Sequence, residues 1–251
     1  MDRVRRSEET YQRLFGARPG SASADDPEFW EILQRLVFGE VFYIGDLDDR
    51  TRELITITVL ATQQCLPQLT AHVGAGLNVG LDPVEIREAV YQLASFVGYP
   101  KTLNAVGAMN EAFTARGIEL PLPAQGTVTE QDRFERGKAI QFPLYGGEIA
   151  ELLADLPEGL REALPYFLTS SGFGDFYTRG GLDLATRELL VLCMLAAMGD
   201  VPNQLKAHTL GNFRAGNSRE QVLAAMIHCY PYIGFPRTLN AVRIIKELRP
   251  E

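Results

Sequence analysis

Cys65, Gln68 and His72 lie close together in the chain, and Glu53 stands twelve residues before Cys65. Pro67 suits the first turn of a helix, on which a spacing of four places Gln68 and His72 on one face. Cys65 then sits at the helix start, where the positive end of the dipole lowers a thiol pKa. If Glu53 lies on a preceding antiparallel helix, it can orient His72 or exchange a proton with it, as a base held by a third group requires. A histidine four residues from a glutamine is more often a buried polar pair than a catalytic one. Here, however, the set recurs: Glu188, Gln204 and His208 occupy the matching places, and those two histidines are two of only three in the chain. Cys65 has no counterpart, because Asp200 or Val201 stands there, and its simplest role is that of a small buried hydrophobe.

The recurrence extends well beyond these residues. Gln68, Leu69, Ala71 and His72 reappear 136 residues later as Gln204, Leu205, Ala207 and His208, and Thr102 to Val106 reappear as Thr238 to Val242. Upstream the offset is 135, with Gly45, Leu47, Asp48, Thr51, Arg52, Glu53 and Leu54 matching Gly180, Leu182, Asp183, Thr186, Arg187, Glu188 and Leu189. One residue is therefore inserted in the second copy, between about Ala61 and Gln68. The stretch from Leu120 to Gly126, with two prolines and a glycine, suits a linker. The chain reads as a tandem duplication with units at 1–122 and 123–251, a period far longer than that of solenoid repeats.

The elements that must position these residues are helices. Leu54 to Leu60 alternates with threonines like a strand, but its counterpart, Leu189 to Met198, is continuously apolar and free of Gly and Pro. A buried helix is therefore expected in both copies. Asp82-Pro83-Val84-Glu85 and Ser218 to Gln221 form capping boxes, and Asp26-Pro27 opens a helix through Trp30 and Leu36. Pro100 and Pro236 precede the last helix of each copy. The expectation is an all-α fold of five or six helices per copy, the copies packed as a pseudo-dimer.

Composition sets the outer limits. A chain of 251 residues with net charge −8 and 46% hydrophobic content is long enough for one large core or two small ones. The acidic balance argues against nucleic acid as a partner. Three scattered cysteines give neither a disulfide framework nor a cysteine zinc site, and a reducing, cytoplasmic setting is expected. No run approaches the length of a membrane span. The glycines at Gly74, Gly76 and Gly80 follow a helix rather than a strand, which excludes a nucleotide loop. His228, aligned with Gln92, has no metal-ligand spacing around it and is expected in the core or at an interface.

Taken in order, Arg-Glu-Leu at 52–54, Gln-Leu-Thr-Ala-His at 68–72, Gly-Leu-Asp-Pro-Val-Glu-Ile-Arg-Glu-Ala at 80–89, then Gly-Tyr-Pro and Asn-Ala, resemble the carboxymuconolactone decarboxylase family, which shares the alkyl hydroperoxidase D fold. The likeness is strong over 45–115 and weaker over 180–248. The hydroperoxidase branch uses Glu followed by Cys-x-x-Cys-x-x-x-His; Glu53, Cys65 and His72 match, but Gln68 replaces the second Cys, so a dithiol cycle is unavailable. The decarboxylase branch commonly carries Glu-Leu-x-x-His in this segment, from which Gln68 and Gln204 also depart.

The resemblance implies cofactor-free, metal-free decarboxylation of a small carboxylated lactone or keto acid from aromatic breakdown or secondary metabolism, by a homo-oligomer, dimer or trimer. Under it His72 transfers the proton, Glu53 holds its tautomer, Gln68 donates to the enolate oxygen and Cys65 lines the pocket. His208, Glu188 and Gln204 make a second or a degenerate site, while Arg52 and Arg187 supply charge for an anionic substrate. The alternatives are a peroxide reductase working through Cys65 alone and a non-catalytic ligand-binding or scaffold protein.

Overall fold

The computed structural model describes residues 2–17 and 25–249, which form helices and no strand. The first half comprises α1 (Arg3–Phe15), α2 (Pro27–Val37), a short 3₁₀ turn (Val41–Tyr43), α3 (Asp49–Gln63), α4 (Leu66–Asn78), α5 (Pro83–Tyr91), α6 (Ala94–Val97) and α7 (Tyr99–Ala115). The second comprises α8 (Arg133–Tyr145), α9 (Glu148–Leu152), α10 (Leu160–Phe167) with a π-helical continuation over Leu168–Tyr177, α11 (Leu184–Met198), α12 (Pro202–Arg214) and α13 (Arg219–Glu247). The first half thus holds more than the expected five or six helices, because α6 is a single turn cut off by Gly98. In the second half α13 bends at Gly234 in the same left-handed conformation, φ 77° against 83° at Gly98, and spans the equivalents of α5 to α7.

Local chemistry explains the matching boundaries. Asp48 caps α3 by accepting from the Thr51 N–H at 2.8 Å, and Asp183 caps α11 through Thr186 at 2.7 Å. Both predicted capping boxes are present. The alternating threonines of α3 fit a helix because Thr56 and Thr62 donate to the carbonyls of Arg52 and Thr58, four residues back, at 2.9 and 2.8 Å. The inserted residue falls in the turn before α12: α3 ends on Gln64 at φ 61° with Cys65 as the next cap, whereas α11 is followed by Gly199, Asp200 and Val201.

The α3 and α11 helices pack against each other at the centre, and α13 crosses over to α3. One continuous apolar cluster draws Ile55, Ile57 and Leu93 from the first half and Leu190, Leu192 and Met226 from the second. Gly76 lies inside α4, where a Cβ would press on Leu81 at 2.9 Å. Around the centre run polar contacts between the halves. His228 is fully buried, with Nε2 3.0 Å from the Thr56 hydroxyl and Nδ1 3.4 Å from the Arg52 guanidinium. Arg179 reaches Glu88 at 2.8 Å. The segment following Leu120 is docked rather than free, since Arg87 donates to the carbonyls of Leu122 and Pro123 at 3.2 and 2.8 Å.

Candidate active site

In each half the buried central helix presents a glutamate to a histidine on the next helix. Glu53 of α3 is fully buried, and its Oε2 lies 2.8 Å from Nδ1 of His72 on α4. Glu188 of α11, equally buried, lies 3.1 Å from Nδ1 of His208 on α12. A carboxylate offers only lone pairs, so the shared proton belongs to Nδ1, and Nε2 becomes the accepting nitrogen. Neither Nε2 has a partner among the described residues, and the side chains of His72 and His208 remain 10% and 14% exposed.

The surroundings of the two pairs differ. Around Glu188, the Tyr177 hydroxyl donates to Oε1 at 2.6 Å, and the Tyr145 hydroxyl donates to Oε2 while lying 2.8 Å from Nδ1 of His208. Burial, and then the Glu188 charge, push both phenols up from their ordinary pKa, so they stay protonated as donors. Asn212 fixes the frame by donating to the carbonyls of Glu188 and His208 at 2.9 and 2.8 Å. Around Glu53 the equivalent positions carry no hydroxyl. Phe15 stands edge-on to His72 with centroids 5.5 Å apart, Phe42 lies where Tyr177 does, and Glu53 Oε1 is buried with no donor.

A further exchange links the halves. Phe96 at the end of α6 packs edge-on to His208 of the second half, with centroids 5.6 Å apart. Its counterpart, Tyr232 of α13, packs on His72 of the first half at 6.0 Å. The Tyr232 hydroxyl is buried without a well-formed hydrogen bond among the described residues, and the Thr56 hydroxyl stands beside it as a polar neighbour. Burial, and then the charge of Glu53, raise its pKa. Each imidazole is therefore walled by an aromatic ring from the opposite half, but only His72 receives a hydroxyl with it.

The remaining expected residues take varied places. Cys65 caps α4 and is half-buried, its Sγ 4.0 Å from the Gln63 carbonyl; the other two thiols, Cys193 and Cys229, are fully buried. Gln68 and Gln204 are exposed on the first turns of α4 and α12 and are not joined to the Glu–His pairs. Arg52 and Arg187 are 1% exposed. Arg52 donates to the carbonyls of Ile44 and Leu47 at 2.9 and 3.0 Å, and Arg187 to those of Arg179 and Gly180 at 3.0 Å each. These guanidiniums brace the loops before α3 and α11 instead of meeting solvent. A cleft of about 220 Å³ is lined by Tyr145, Asn203, Lys206 and Arg214. No group of three or more His, Cys, Asp or Glu among the described residues is placed to hold a metal ion.

The model of the carboxymuconolactone decarboxylase family matches residues 27–111 and again 162–247. The chain belongs to that family. A 4-carboxymuconolactone decarboxylase from Acinetobacter baylyi is 21% identical over 121 residues, spanning 48% of this chain and 90% of that protein. A nitrosuccinic acid decarboxylase from Metarhizium robertsii is 30% identical over 30% of this chain and 53% of its own length. A solved structure of a putative γ-carboxymuconolactone decarboxylase subunit from Burkholderia xenovorans superposes with a TM-score of 0.58 at 23% identity, covering 98% of this chain and 97% of that one. That match shares the whole tandem fold with this family member. No helix among its described residues is long and apolar enough to cross a membrane.

Nothing in the spacing around Glu53 and His72 points to the aromatic residues that distinguish the two pairs. The repeat does, once it is followed further. Tyr232 lies 136 residues after Phe96 and Tyr177 lies 135 after Phe42, while Leu14-Phe15-Gly16 returns as Leu144-Tyr145-Gly146 at an offset of 130. The backbone bears out that third match: a Cβ on Gly39 would collide with the Arg3 carbonyl, and one on Gly174 with the Arg133 carbonyl, the same crossing in each half.

Proposed function

We propose that the chain is a cofactor-free decarboxylase of a small carboxylic acid that carries an electron sink β to its carboxyl group, such as a carboxylated lactone or a keto acid. The reading rests on one observation above others: a fully buried glutamate holds the inner nitrogen of a histidine whose outer nitrogen has no partner among the described residues. Such an imidazole is fixed in tautomer and orientation while keeping one nitrogen for substrate.

The chemistry needs little else. As carbon dioxide leaves, the electron pair of the broken C–C bond moves through the α carbon onto the sink, and that carbon then takes back, through the outer imidazole nitrogen, the proton that the carboxyl group gave up on binding. A donor near the sink stabilises the charge while it lasts. The names of the two curated relatives fit this class, since a lactone carbonyl and a nitro group are both electron sinks. In this reading Gln68, exposed one turn before His72, meets the acid at the entrance, and Cys65 lines the approach. Peroxide reduction would have to run through Cys65 alone, since Cys193 and Cys229 are fully buried in the core.

Purified protein incubated with 4-carboxymuconolactone should release carbon dioxide. His72→Gln should lower kcat by at least about 10²-fold, the usual contribution of a positioned acid or base. Full activity in that variant would remove His72 from the mechanism.

A further inference from the structure

The two Glu–His pairs are alike in backbone and unlike in hydrogen bonding. Glu188 accepts from Tyr177, Tyr145 and His208, so both of its oxygens are occupied, and the ring brought to His208 from the other half, Phe96, carries no polar atom. Among the described residues Glu53 accepts from His72 alone, and its second oxygen is buried without a donor. The ring brought to His72, Tyr232, carries a hydroxyl that is buried beside Thr56 without a well-formed hydrogen bond among the described residues. An acceptor without a donor on Glu53 and a loosely held donor on the ring that walls the same imidazole are costly in a folded interior, where buried polar groups are almost always satisfied. Such pairs persist where something arrives to complete them.

We propose that the first pair is the reacting centre, that Tyr232 of the second half is its catalytic hydroxyl, and that Tyr145 and Tyr177 hold the second pair closed. This rests on the decarboxylase reading given above. In the step, the C–C bond to the carboxyl group breaks and carbon dioxide leaves. The electron pair comes to rest on the carbonyl or nitro oxygen of the substrate, where the Tyr232 O–H donates a hydrogen bond to it. Nε2 of His72 takes the proton of the substrate's carboxyl group as the acid binds, and the α carbon then takes that proton, so the imidazole ends as it began. No oxidant or second substrate is needed. The cleft on the second half is lined by Tyr145, whose hydroxyl is already engaged by Glu188 and His208, and by neither member of the second pair.

The test compares wild type, Tyr232→Phe and Phe96→Tyr, with 4-carboxymuconolactone and nitrosuccinate as substrates and the nitronate of 3-nitropropionate as a mimic of the charged intermediate. Tyr232→Phe removes a hydroxyl without a well-formed hydrogen bond and keeps the ring, so its melting temperature should stay close to that of wild type. Its kcat should fall about 10²–10³-fold with KM within about threefold, the signature of a lost donor to developing charge. Nitronate binding should weaken at least tenfold, while Phe96→Tyr should leave turnover unchanged. If wild type decarboxylates either acid and Tyr232→Phe does so equally well, the role of Tyr232 is overturned and the decarboxylase reading stands. If wild type decarboxylates neither acid yet binds the nitronate in a Tyr232-dependent way, the reaction is misassigned and the donor stands. Absence of both turnover and binding in wild type overturns both.

Discussion

Deleting the hydroxyl of Tyr177 leaves its ring in place and takes away one of the donors to Glu188. Tyr177 is 7% exposed, Glu188 is fully buried, and the two oxygens are 2.6 Å apart, so bulk water cannot replace the bond. A hydrogen bond to a buried charged acceptor contributes about 1.5–3 kcal/mol, and its loss leaves Glu188 Oε1 as orphaned as Glu53 Oε1. For a chain of this length each kcal/mol moves the melting temperature by about 2–4 °C, so Tyr177→Phe should lower Tm by roughly 3–12 °C. Thermal unfolding followed by circular dichroism at neutral pH measures the shift. Guanidinium titration with an unchanged slope checks that the folded state, rather than the unfolded one, has been altered. A Tm within 1 °C of wild type would refute the view that this hydroxyl holds the second pair together.

Two other substitutions probe the difference between the halves from other directions. Phe42→Tyr places a hydroxyl at the position equivalent to Tyr177, toward the free oxygen of Glu53; melting temperature should hold or rise while carbon dioxide release from 4-carboxymuconolactone falls at least tenfold, and a lower Tm with full activity would contradict the equivalence. Burial, and then the Arg52 charge, hold the His228 pKa down at about 3, with His72 adding a smaller push in the same direction. An unfolded chain takes up a proton there near pH 6.5 that the native state refuses, so this stability is complete above about pH 6.5 and lost on acidification toward about pH 3, by up to about 1.4 kcal/mol per pH unit. His228→Gln, which installs the residue found at position 92, should flatten the fall in stability between pH 6.5 and 4, as measured by urea melts; identical slopes would count against it.

The helical frame was legible because it is encoded locally and stated twice. Capping boxes at Asp82 and Ser218, prolines at the starts of α4 and α12, and the unbroken apolar run of α11 all act within a few residues, and each copy resolves the ambiguity of the other. The pairing of Glu53 with His72 could be read as well, since it needs only two consecutive antiparallel helices. What escaped the sequence reading travels further. Arg52 and Arg187 look like free cations until the loops that fold back over them supply carbonyl acceptors. Phe96 and Tyr232 belong to sites in the half opposite their own, a consequence of how α6 and α13 cross the central helices, and no local pattern reports it.

That crossover gives the duplication a physical consequence. In a dimer of two identical chains every residue appears at both sites, so a phenylalanine opposite one histidine implies a phenylalanine opposite the other. A single chain containing both copies is free of this constraint, and three paired positions show the freedom used: Phe15 against Tyr145, Phe42 against Tyr177, and Phe96 against Tyr232. The first two add hydroxyls to the second site and withhold them from the first; the third does the reverse, because its ring crosses over. The first two saturate Glu188 and leave an oxygen of Glu53 without a donor among the described residues, while the third brings a hydroxyl-bearing ring to His72 and a bare one to His208. It also follows that the halves cannot be separated without loss. A fragment ending at the linker would keep Glu53 and His72 but lose the Tyr232 wall and the Arg52–His228 contact that braces the loop before α3.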